Sequence, residues 1–305
     1  IGGGWDNVVL GTAASVVGGS GNTAFGYHAT VLGGEQNTAR AFYSIVSGGL
    51  SNVAGNYATV SGGEFNTASG YLSVIGGGGQ NDATGSLSTV AGGEHNVASN
   101  RHSFVGGGSD NTAAGYVSSV SGGSWNVASS YGAAISGGYW NYATGYSSSI
   151  GGGSWNAATL YGASVLGGLS NTAMGYVAAI GGGHDNHASN AGTTIAGGIE
   201  NTVSGYYGTI GGGWNNVVVG TAASLSGGSA NTAFGSHASV SGGERNVANG
   251  VYSSVGGGQN NEASDYATVS GGELNAAEGD HSVVGGGRQN DASSFAATVA
   301  GGEYN

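Results

Sequence analysis

The chain has 305 residues, of which 69 are Gly, none is Pro, none is Cys and only 7% are charged. Four Lys and Arg stand against sixteen Asp and Glu, and the resulting net charge of −12 repels polyphosphate and argues against nucleic-acid binding. The lack of Cys excludes disulfide staples and Cys-ligated metal, and no apolar run approaches the ~20 residues that span a bilayer as a helix.

Asn recurs every fifteen residues from Asn7 to Asn305, with only two steps of fourteen, Asn52 to Asn66 and Asn261 to Asn275. A fixed short period through a whole chain is the signature of a solenoid, which grows lengthwise without a bulky core. So much Gly without aliphatic order would suggest disorder. Here the aliphatics are regularly placed, and Gly does not fall at every third position as collagen requires.

Read from its Asn, one repeat is N-x-A-x-G-Y-x-(S/A)-x-V-x-G-G-x-x. Ala on an even offset and the small residue and Val on odd offsets cannot share one strand face, because faces alternate with period two. The phase therefore switches at Gly-Tyr and again at Gly-Gly-x-x. Each repeat is expected to hold two short strands joined by two tight turns, and a Gly pair in every repeat argues against helix. The aliphatic nine places after each Asn forms a core column that includes Val90, Val105, Val120, Ile135, Ile150 and Val165. The Asn residues, among them Asn66, Asn81, Asn96, Asn111, Asn126 and Asn141, are expected to form a structural ladder that satisfies turn backbone above and below. The Gly four places after the Asn, replaced by Asn56 and Asp265 in the two short repeats, reads as a left-handed corner. The residue lost from those repeats is assigned to this turn, which leaves both strands in register.

The fold class expected is all-β: a single parallel β-solenoid over residues 1–305, with one two-strand coil per fifteen-residue repeat and about twenty coils. At a strand spacing of about 4.8 Å these make a rod of roughly 95 Å. Tyr or Phe recurs five places after many of the Asn residues, as at Tyr27, Phe42, Tyr57, Tyr116, Tyr131, Tyr146 and Tyr266. An aromatic stripe on so thin a rod points to packing against further copies of the chain. Residues 1–96 also match residues 210–305 without a gap, at about two-thirds identity, so the gene has duplicated blocks of coils and the chain reads as a piece of a longer fibre.

The segments Ala68 to Gly77, "ASGYLSVIGG", Ala143 to Gly152, "ATGYSSSIGG", and Ala173 to Gly182, "AMGYVAAIGG", carry the run A-x-G-x-x-S-x-V-x-G. This run resembles the head repeats of YadA-like trimeric autotransporter adhesins, fibres of bacterial surfaces. An extra Gly and the Asn set the present repeat apart from the usual fourteen-residue form. The resemblance implies a left-handed β-roll, three chains side by side, an extracellular position anchored in the outer membrane through a segment not represented here, and attachment to host or other surfaces. Similar repeats could serve in a phage tail-fibre shaft or a purely structural filament, which is the alternative reading. An ice-binding solenoid would need a regular Thr column, and the position after the Asn mixes Thr, Val, Asp, Tyr, His, Glu and Ala.

All five Trp lie in the two variable positions before an Asn, and Trp125, Trp140 and Trp155 fall in consecutive repeats of one column, with Tyr139 and Tyr142 beside the middle one. They are the candidate binding platform for sugar rings or a matrix protein, against the alternative of a self-stacking surface ladder. Glu35, Glu64 and Glu94 alternate along another column, as do Glu244, Glu273 and Glu303. Skipping a coil holds them roughly 10 Å apart, which suits solvated charge better than a calcium site. His184 and His187 flank Asp185 and Asn186 but fall on different parts of a turn. No metal or other cofactor is expected. No nucleophile and base break the repeat in a cluster, so the chain reads as a non-enzyme.

Overall fold

The computed structural model describes residues 1–305 and is an all-β parallel solenoid of about 19 turns with no helix. By its internal contacts the chain divides into two compact units, Ile1–Ser154 and Trp155–Asn305.

In the first unit each coil carries a two-residue strand ending at Ala, as at Thr112–Ala113, and another ending at the core aliphatic, as at Ser119–Val120. Each pairs in parallel with its counterpart one coil on: Thr112 lies against Val127, and Val120 against Ile135. The x-Ala strands build one sheet and the x-Val strands the other. The second unit repeats the arrangement, with Ala157 against Thr172 and Val165 against the Ile180 position. A third ladder was not foreseen. The residue after Gly-Gly forms an isolated parallel bridge from coil to coil, as in Ser109, Ser124 and Tyr139, so each coil has three bonded sides.

The interior follows the expected columns. Ala113, Ser118 and Val120 are fully buried within one coil, and so are Ala98, Ser103 and Val105 in the coil before. Ser and Ala alternate freely at the small position because a buried Ser hydroxyl finds a local acceptor: Ser118 Oγ donates to the Gly115 carbonyl at 2.8 Å. Size is matched across the coil. Val203 and Val218 replace Ala on one side, and Gly208 stands opposite, where an added Cβ would meet a methyl of each at 2.8 Å. Gly208→Ala is therefore expected to overpack this core and cost about 1–3 kcal/mol, and adding Val203→Ala should recover part of that loss. A thermal double-mutant cycle checks the coupling, and simple additivity would show that the two sites do not share space.

Two expectations about the corner are corrected. The left-handed residues are not the Gly four places after the Asn. They are the sixth and fourteenth residues, such as Val117 (φ 56°) and Trp125 (φ 58°), together with the second Gly of each Gly-Gly pair, such as Gly123 (φ 86°). The reason lies in the hydrogen bonds. Ordinary positions donate to the following coil, as Ser124 N does to Gly138 O at 2.9 Å. The left-handed ones turn their N–H the other way, as Trp125 N does to Ser109 O at 3.0 Å. The fourth-place Gly answers to close approach instead: a Cβ on Gly115 would lie 1.8 Å from the Ser130 carbonyl oxygen in the next coil.

In the short repeats the lost residue comes from the segment between the two strands, as expected, but the residue that turns the corner is not Asn56 or Asp265, which is the second correction. Ala58 N donates to Gly55 O at 3.2 Å, the bond that Ser118 N makes to Gly115 O elsewhere. Gly55 thus turns the corner, and the missing residue is the one directly after Ala54. Asn56 takes the Tyr place, and Tyr57 moves into the next, left-handed column (φ 55°). Ser264, Asp265 and Tyr266 do the same in the second unit, where Ala267 N donates to Ser264 O at 3.1 Å. Both strands stay in register through these coils, with Val53 against Thr67 and Glu262 against Ala276.

Candidate functional site

The Asn ladder is buried and fully bonded. Asn111 and Asn126 have no exposed surface. Asn126 Nδ2 donates to Gly122 O at 3.1 Å, to Gly138 O at 2.9 Å and to Asn111 Oδ1 at 3.1 Å. Its Oδ1 accepts the backbone N–H of Asn141 at 3.1 Å and the Asn141 amide at 3.0 Å. Asn66, Asn81 and Asn96 repeat this pattern, each accepting the backbone N–H of the next Asn or donating its own to the last. The Asn amide carries two donor protons and a separate acceptor oxygen on one short side chain, and all of them are engaged with scaffold here. These Asn residues therefore act inside the fold and leave no group for a ligand. Val90, Val105, Val120, Ile135 and Ile150 line the interior of the first unit, and Val165 that of the second.

The aromatic candidates lie on the outside. Trp125 and Trp140 stack with ring centroids 5.1 Å apart and planes 7° from parallel. Tyr139 meets Trp140 edge-on at 6.1 Å, and Tyr142 meets it tilted at 6.3 Å. Four of the five predicted platform residues are thus brought together in the first unit. Trp155 opens the second unit with an exposed ring and the same left-handed backbone, φ 59°. A left-handed Trp is unusual, but two turn positions in every coil, besides the second Gly of Gly-Gly, share that conformation throughout, so here it reports the scaffold and does not mark a site.

Two more aromatic columns run beside the corner. Tyr116, Tyr131 and Tyr146 stack at 5.3 and 4.6 Å, and in the second unit Tyr161 and Tyr176 stack at 4.9 Å. In the neighbouring column His28, Tyr43 and Tyr57 stack at 5.0 and 5.1 Å. The second unit has its counterpart in His237, Tyr252, Tyr266 and His281, at 4.7, 5.7 and 4.8 Å. The sequence hid this second column because the short repeats shift Tyr57 and Tyr266 into it.

The Glu column lies in the third ladder. In the first unit Leu50 and Gly79 separate Glu35, Glu64 and Glu94. In the second unit the separating rungs are Gln259 and Arg288, and Arg288 bonds Glu273 and Glu303 at 3.5 Å each. His184 contacts Asp185 at 3.1 Å from the bridge ladder, while His187 opens a strand and meets only the Asp185 carbonyl, at 3.1 Å. The two imidazoles therefore sit on different sides of the coil. No group of three His, Cys, Asp or Glu side chains is placed to hold a metal ion. No helix is long and apolar enough to cross a membrane.

No protein-family model matches the chain. Comparison with curated proteins finds no relative.

Proposed function

We propose that the chain is a segment of an adhesive fibre on a bacterial surface, similar to the heads of YadA-like trimeric autotransporter adhesins. In this reading it is non-enzymatic, its coils are left-handed, three copies lie side by side, and a segment outside this sequence anchors it in the outer membrane. The observation that carries the reading is the division of labour within the coil. Inward positions are confined to small residues, aliphatics and the ladder Asn, while variation and aromatic side chains are moved outward, onto stacked ladders such as Trp125 on Trp140. Large rigid aromatics facing solvent are the anchors that interfaces favour. The exposed Tyr131 and Tyr146 column supports packing between copies, and the Trp face supports contact with a matrix protein or glycan. The net charge of −12 disfavours nucleic acid.

Trp125→Ala with Trp140→Ala is expected to reduce attachment of fibre-bearing cells to matrix-coated surfaces by about tenfold or more, with the melting curve unchanged. Attachment at the parental level would remove the Trp face from the reading. Sedimentation of the purified chain at the mass of one copy, at all concentrations, would remove the trimer.

A further inference from the structure

In the first unit a groove runs along the corner between the two strands. Its floor is Gly26 and Ala41, one wall is Phe25 and Arg40, and the facing wall is Tyr27 and Phe42. It encloses about 330 Å³, at the small end of the roughly 300–1,000 Å³ of small-molecule sites. The groove ends at the fourteen-residue coil, where the residue after Ala54 is missing and the small Asn56 stands in place of a ring. Phe25 and Phe42 are more than half exposed, at 58% and 56%, and the Tyr27 and Phe42 rings lie 6.3 Å apart at 49°.

Arg40 is one of only four basic residues in the chain. Arg245 and Arg288 are held by Glu244, Glu273 and Glu303. Neither Arg40 nor Arg101 makes a side-chain ion pair, and of these two it is Arg40 that lines the groove, exposed among aromatic rings. A chain with a net charge of −12 has many carboxylates to offer, so a guanidinium kept clear of all of them is left for an outside anion.

The duplicated block supplies an internal comparison. Across the 209-residue shift Phe25 recurs as Phe234, but Arg40 becomes Asn249, Tyr27 becomes Ser236 and Phe42 becomes Val251. The cavity at that corner, about 310 Å³, is lined by Asn249, Ser264, Asp265, Glu278 and Asp280. Two blocks that agree at about two-thirds of their positions thus diverge at this corner in both charge and apolar character.

We propose that the Phe25–Arg40–Phe42 groove binds a carboxylated saccharide. The rings pack against the C–H faces of the sugar, and the planar guanidinium takes the carboxylate through two parallel hydrogen bonds. The charge of Arg40 selects the acid against a background field that otherwise repels it. This deepens the attachment reading by naming a ligand class and a place other than the Trp face. It is tested on the purified chain without cells, so its failure and that of the attachment reading are separable.

The test titrates the full chain, by calorimetry, with a glucuronic-acid-containing tetrasaccharide and with a sialic-acid trimer, each against its carboxyl-reduced neutral form. At least one acidic sugar should bind about tenfold or more tighter than its neutral form, the range of a charge-assisted hydrogen bond, and more weakly as salt rises. Arg40→Gln should abolish that preference, Phe42→Ala should weaken acid and neutral forms alike, and Arg245→Gln should change neither. Arg40 is a surface residue, so a melting curve equal to the parent's certifies its variant. Equal binding of acid and neutral forms, an unaltered preference in Arg40→Gln, or no binding of either acid would overturn the proposal. So would a Phe42→Ala variant that only loses self-association, because another copy of the chain would then occupy the groove.

Discussion

Asn126→Asp should unfold the coils around it at ordinary temperature, although it exchanges one NH₂ for an oxygen. The amide donates to Asn111 Oδ1, Gly122 O and Gly138 O. A carboxylate can donate to none of them, at about 1 kcal/mol or more for each bond lost: Gly122 O is left without a donor, while Gly138 O keeps Ser124 N and Asn111 Oδ1 keeps the backbone N–H of Asn126. It also sets a negative charge against all three in a site with no exposed surface. Desolvation and repulsion add several kcal/mol, for a total on the order of 5 kcal/mol. The chain offers its own gauge of this penalty. Asp82, on the outward side of a strand and only partly buried, already has its carboxyl raised above the ordinary value by desolvation. The introduced carboxyl would be raised further. A folded-state pKa above the unfolded one means that the folded form binds the extra proton, so the deficit is full above the folded pKa and shrinks as pH falls towards the unfolded value near 4. Hydrogen exchange at Trp125, Val127 and Asn141, beside a thermal melt at neutral and at acid pH, measures it. Parental protection at neutral pH would mean that the ladder is dispensable.

The fold was legible in the sequence because the period is short and the inward columns tolerate so little variation. The positions of Val120, Ala113 and Asn111 follow from spacing alone, as do two strands with a phase change between them. The corner was misread because Gly has two uses that sequence does not separate. At Gly115 it makes room for the backbone of the next coil, and at Gly123 it also supplies a left-handed φ. Other left-handed places hold Trp125, Val117 or Leu72, which have no local preference for that conformation. They adopt it because the reversed N–H gains a partner in the preceding coil, a tertiary effect that local propensity does not reveal. The third ladder escaped notice for a similar reason, since its rungs are single residues of any type, from Ser124 to Tyr139 to Glu244. The Trp125–Trp140 contact was foreseen from its column. The groove at Arg40 was not, because it depends on where the short coil drops its residue.

Those two uses of Gly can be told apart within one dipeptide, Gly122–Gly123. Gly123→Ala should be among the most damaging small substitutions in the chain. Its φ of 86° is one that a side chain resists, at about 1–2 kcal/mol. The new Cβ would also fall 2.2 Å from Gly138 O and 2.7 Å from Asn126 Nδ2. Both contacts are with scaffold that cannot swing aside. The carbonyl belongs to the next coil and accepts from Ser124 N and Asn126 Nδ2, at 2.9 Å each. Relief therefore means parting two coils and breaking two hydrogen bonds, for a loss on the order of 4 kcal/mol. A Cβ on Gly122 would meet nothing within 4 Å, and its backbone lies outside the left-handed region. Its carbonyl would still accept from Asn126. Gly122→Ala should thus stay within about 1 kcal/mol of the parent. In a solenoid each coil is coupled mainly to its neighbours, so the damage from Gly123→Ala should appear first as lost amide protection between residues 109 and 138, and then as a lower or broader melt. Equal melting of the two variants would show that the coils are not packed as closely as the Gly-Gly turn requires.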